Sequence, residues 1–141
     1  MSASLGRPIR AGLVYFTVVF AAGFVLGTLR VLLVVPSLGE ATAVALELPL
    51  MLAISWIACR RLIERFEVAS MLGDRMMMGG IAFACLMTAE LGVSSFAFGR
   101  PLSAHVANYA RVPAMLGLAA QLVFAVMPTL QLRRRWPDSL R

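Results

Sequence analysis

Four long apolar runs constrain this chain more than any other feature. They cover roughly residues 11–35 ("AGLVYFTVVFAAGFVLGTLRVLLVV"), 41–59, 76–98 ("MMMGGIAFACLMTAELGVSSFAF") and 109–132. Each is near the ~20 residues that a helix needs to cross hydrocarbon. None alternates polar and apolar residues, as barrel strands would. Composition agrees, with 60% hydrophobic and only 14% charged residues; a soluble domain carries nearer a quarter charged. The expected fold is all-α: a four-helix transmembrane bundle in a single integral membrane domain, residues 1–141.

Arginines orient such a bundle. Arg7 and Arg10 precede the first run, Arg60, Arg61, Arg65 and Arg75 lie between the second and third, and Arg133, Arg134, Arg135 and Arg141 follow the fourth. The opposite side has Arg100 and Arg111, with Arg30 near the end of the first run. The positive-inside bias therefore places both termini in the cytoplasm. Tyr15, Trp56 and Trp136 are expected at the cytoplasmic boundary and Tyr109 at the outer one, as interfacial aromatics. The first run is about twice the usual apolar core of a signal peptide and ends in no small-x-small cleavage site, so it is expected to remain as a span. All thirteen basic residues are arginine, which points to a GC-rich bacterial genome and hence to the bacterial inner membrane.

The links are short. Pro36 to Glu40 reads as a tight outer turn. The link "RRLIERFEVASMLGDR" reads as a helical extension of span two with an Arg60–Glu64 pair, ended by Gly73, with Asp74 capping span three. The formal charge of +6 does not indicate nucleic acid, because the arginines flank apolar runs and cover no soluble face. Cys59 and Cys85 lack CxxC spacing and read as free buried thiols.

Charges inside the spans are the chemical signal. Glu47 lies two helical turns, about 10 Å, beyond Glu40. Glu90 lies about 20 Å along span three from Met77. Arg30 and Arg111 are placed at the outer ends of spans one and four. Exposing any of these groups to lipid near the bilayer centre costs roughly 2.5–3.5 kcal/mol, so they are expected to face inward and pair. Arg30, Glu47, Glu90 and Arg111 then converge at one level, with Glu40 at the rim, in a ligand or proton pocket open to the outer surface. Gly23 and Gly27 form GxxxG on the Arg30 face and are expected to pack closely against another helix. A stripe of Arg111, Ala114, Gly117, Gln121, Ala125 and Pro128 marks the inward face of span four. Pro49, Pro113 and Pro128 each withhold a backbone N–H and free a carbonyl one turn earlier.

Two functional classes follow. One is a transport-related or proton-linked pocket with Glu90 as the leading titrating acid and Glu47 second. The other is a non-catalytic scaffold or accessory subunit of a larger membrane complex, the charges forming a structural ion-pair network. An enzyme is less expected, since no HExxH, GxSxG or Ser/His/Asp set is present. No cofactor and no metal is expected: His105 is a lone loop histidine whose possible partner is Glu40, and Met76 to Met78 fit a bilayer boundary better than a soft-metal site. The expected partners are the lipid bilayer and either a second copy or a membrane-complex subunit. In span count the chain is similar to the small multidrug-resistance transporters, but it carries Arg30 in the first span where that family has an acid. The stretch "GTLRVLLVVPSLGE" resembles small four-span proteins of bacterial inner membranes. That resemblance implies the fold and brings no function with it.

Overall fold

The computed structural model describes residues 2–134, and it is helical throughout, with no strand among the described residues. Trp136, Arg135 and Arg141 lie outside them. Four helical stretches are long and apolar enough to cross a membrane: Leu5–Leu38, Glu40–Arg65, Leu72–Ala97 and Val112–Leu130. The first is α1 (Ser2–Leu29), a π-helical segment Arg30–Val34 and α2 (Val35–Leu38) in succession. The widened turn precedes Pro36, which cannot donate to the Leu32 carbonyl and would crowd it. The Val35 N–H reaches back to the Arg30 carbonyl instead, one residue further than in an α-helix.

The expected turn from Pro36 is shorter than its sequence suggested. A proline in the first turn of a helix loses no bond, so α2 continues to Leu38. Gly39 alone reverses the chain, at φ +79°, a conformation open to glycine. Next comes α3 (Glu40–Arg65), which includes the extension past Cys59 and the Arg60–Glu64 pair at 3.3 Å. Then α4 (Leu72–Gly92) leads into a second π-helical segment, Val93–Ala97. After Gly99 a short α5 (Leu102–Asn108) precedes α6 (Val112–Leu130).

The start of α4 corrects the sequence reading. The helix begins at Leu72, before Gly73, and extended Met71 precedes it without a side-chain cap. Asp74 sits in the first turn, where its charge suits the helix N-terminus. Arg75 is thereby drawn inside and is only 5% exposed. Its guanidinium donates from Nε to the Ala69 carbonyl (3.0 Å) and from Nη2 to the Val68 carbonyl (3.3 Å). This arginine supplies donors to two loop carbonyls, of which that of buried Val68 would otherwise be left bare. Arg7 pairs with Glu67 at 3.3 Å from the other side of the same loop.

The helices pack as a square. α1 and α6 occupy opposite corners, each packed against both α3 and α4. Tyr15 spans the diagonal: its ring stacks on Phe124 with centroids 4.3 Å apart, and its hydroxyl donates to the Phe124 carbonyl at 3.3 Å. Pro128 explains why that acceptor is available, because it lacks the N–H that would have bonded Phe124 one turn earlier. Tyr15 is therefore fully buried and not an interfacial aromatic. Ala11, Cys59, Met78, Ala82 and Met127 complete this core, toward the end holding the α3–α4 loop.

A Tyr15→Phe variant keeps the ring and strands the carbonyl. Its expected cost is about 1–3 kcal/mol, read as a lower SDS-unfolding midpoint; an unchanged midpoint would show that the carbonyl finds another donor.

Close helix contact occurs at glycines other than the pair that the GxxxG pattern singles out. A Cβ on Gly12 would lie 2.7 Å from the Met78 carbonyl oxygen, and one on Gly79 would collide with the Ala125 carbonyl. A Cβ on Gly23 would meet only the mobile tip of Met51 at 3.3 Å, and one on Gly27 only Arg30 of its own helix at 3.8 Å. Gly23 and Gly27 border open space instead.

Candidate functional site

That space is a cavity of about 700 Å³ at the Gly39 end of the bundle, between the upper halves of the spanning helices. Its floor is the top of the core, with Val19, Ser55, Leu86 and Phe124. Gly23 and Gly27 line the α1 wall, where absent side chains leave volume, and Ala114 and Gly117 do the same on α6. Phe20, Phe24, Met51 and Phe98 make much of the remaining wall apolar. The polar lining comes from Arg30, Glu40, Glu47, Glu90 and Gln121, with His105, Asn108 and Tyr109 contributed by α5 and the following turn.

The charges divide into separate pairs and do not form one network. Arg30 Nε lies 2.9 Å from Glu47 Oε2, with side chains 27% and 18% exposed. The adjacency of α1 and α3 makes this pairing direct. Arg111 Nη2 lies 2.5 Å from Glu40 Oε2, both half-exposed at the rim, where Glu40 opens α3 and Arg111 precedes α6. Arg111 itself is outside the cavity lining. Glu90 meets neither arginine. Its carboxylate accepts a hydrogen bond from the Gln121 side-chain amide of neighbouring α6. Distance along the helix explains the separation, since ten residues of α6 put Gln121 about 15 Å below Arg111.

Among the described residues no ion pair involves Glu90. The amide oxygen of Gln121 is buried and has no hydrogen-bond partner among them either. Tyr109, in the turn between α5 and α6, has its phenol held above the ordinary range by burial and, less, by the Glu90 carboxylate. His105 meets Tyr109 edge-to-face, with centroids 5.4 Å apart, and not Glu40. No group of three His, Cys, Asp or Glu side chains able to hold a metal ion occurs among the described residues.

Sequence reasoning missed the partner of Glu90. Gln121 stood out as a polar member of the α6 stripe, and its spacing from Ala114 and Gly117 was the available signal. What was lacking was the knowledge that α4 and α6 are neighbours. No family model, no curated protein and no solved structure matches the chain.

Proposed function

We propose that this is a multi-pass protein of the bacterial inner membrane with both termini cytoplasmic. Its cavity faces the periplasm and serves as a transport-related, proton-linked polar pocket in which Glu90 takes up and releases the exchangeable cation. One observation carries the reading: of the three carboxylates lining the cavity, Glu40 and Glu47 each have an arginine and Glu90 has none. A carboxylate held in a low-dielectric site by a neutral amide binds a proton or another cation in place of a fixed partner. The orientation is supported by the arginines, since Arg7, Arg10, Arg60, Arg61 and Arg65 lie at the end away from the cavity. The two ion pairs favour a second reading for the remaining charges, in which they fix helix register within an accessory subunit.

Proteoliposomes test the proposal. A carboxyl infrared band is expected to change with pH on the cavity side and to vanish in Glu90→Gln. In intact cells an impermeant maleimide is expected to label Ser37→Cys and to spare Ser70→Cys until the membrane is opened, against the background of the unaltered chain. A pH-insensitive band rejects the proton link, and reversed labelling rejects the orientation.

A further inference from the structure

The chemistry of the cavity specifies the kind of ligand that completes it. Arg30 is matched by Glu47, and Glu40 by Arg111, which leaves a single negative charge at Glu90. A carboxylate only accepts hydrogen bonds, so Gln121 must turn its NH₂ toward Glu90. That orientation strands the Gln121 carbonyl oxygen, which is buried and lacks a donor among the described residues. Glu90 thus brings a charge without a counter-ion and Gln121, beside it, an acceptor without a donor among the described residues. Both are met by a group that is positive and carries N–H bonds.

Size and walls narrow the class further. A cavity of about 700 Å³ falls within the range of organic-ligand sites and is far larger than a bare ion. Phe20, Phe24 and Phe98 line the cavity and offer apolar area for the body of a ligand. A carboxylate or phosphate ligand would find the one lining arginine already engaged and three carboxylates in the lining. A quaternary ammonium would match the charge and leave the Gln121 oxygen unpaired.

We propose that the cavity binds a monovalent organic cation with an apolar body and at least one N–H, that is, a protonated amine, held by Glu90 and Gln121. This assignment rests on the reading of the cavity as a ligand pocket and names its substrate class. The full chain in lipid nanodiscs is titrated calorimetrically with phenethylammonium, phenethyltrimethylammonium, hydrocinnamate and sodium chloride, with empty discs subtracted. Saturable binding of phenethylammonium is expected, weakened at least about tenfold by Glu90→Gln and several-fold by Gln121→Leu. The trimethyl analogue is expected to bind more weakly to the unaltered chain.

Tighter binding of hydrocinnamate, equal binding of the trimethyl analogue, displacement by sodium alone, or indifference to Glu90→Gln overturns the amine assignment. If one of the other ligands binds and still requires Glu90, the pocket reading stands without the amine. No saturable binding of any probe, together with a pH-insensitive carboxyl band, removes both. Should Glu90→Gln fail to fold, the comparison of the two ammonium ions on the unaltered chain decides.

Discussion

Replacing Gly79 with valine is expected to remove most of the folded protein from the membrane, whereas Gly80→Val, one residue on, is expected to leave it nearly unchanged. The contrast comes from the α4–α6 contact. A Cβ at Gly79 would collide with the carbonyl oxygen of Ala125 and sit 3.1 Å from its carbon and 3.5 Å from Pro128 Cδ. These are backbone and ring atoms, which cannot swing aside as a side-chain tip can. Around them Phe124, Met127 and Pro128 are all buried, so α6 has no room to retreat. Overpacking of this kind costs about 1–3 kcal/mol or more. Pushing α6 outward would also strain the Tyr15–Phe124 hydrogen bond, worth about 1 kcal/mol. At Gly80 a Cβ meets nothing within 4 Å. Size-exclusion recovery and SDS-unfolding midpoints of the two variants provide the measurement, and equal behaviour would mean that the helices do not meet here.

Glu47→Gln is the second large effect. Arg30 and Glu47 are mostly shielded, at 27% and 18% side-chain exposure. Removing the acid leaves a guanidinium in a low-dielectric wall without its counter-charge, a change that typically costs about 3–5 kcal/mol in a fully buried pair. The residual exposure places the expected loss near the lower end, about 3 kcal/mol. Adding Arg30→Gln should recover most of it, because two amides can bond to each other and no net charge remains. The rim supplies the contrast: Arg111 and Glu40 are 59% and 47% exposed. Arg111→Gln is therefore expected to cost no more than about 1 kcal/mol. A double-mutant cycle on unfolding free energies checks the coupling. If Glu47→Gln is as mild as Arg111→Gln, the pair is not shielded as described.

The spanning helices were legible because apolar length is a local property, whereas the turn expected over Pro36 to Glu40 narrows to Gly39, since a proline in the first turn of a helix does not stop it. Facing relations were harder. The residue pattern placed Arg30 and Glu47 only within one converging set with Glu90 and Arg111; their direct pairing follows from the tight turn that sets α1 and α3 side by side. Glu90 could not be matched to Gln121, since consecutive α3 and α4 sit on a diagonal and no residue pattern announces that. Tyr15 followed a general rule for interfacial aromatics until a proline more than a hundred residues away freed a carbonyl for it. Arg75 reads as one more topology-setting arginine, yet a helix start four residues earlier than the apolar run turned it onto the loop carbonyls.

Because the tightly interlocked core occupies only the end holding the α3–α4 loop, the opposite helix ends are tethered mainly by their connections and by ion pairs. The Tyr15–Phe124 stack makes no part of that tether. On the proposed reading of the cavity as a ligand pocket, the bore at the mouth is set by the connections and ion pairs rather than by the Tyr15–Phe124 stack, so guests of different girth would be accommodated without repacking the core.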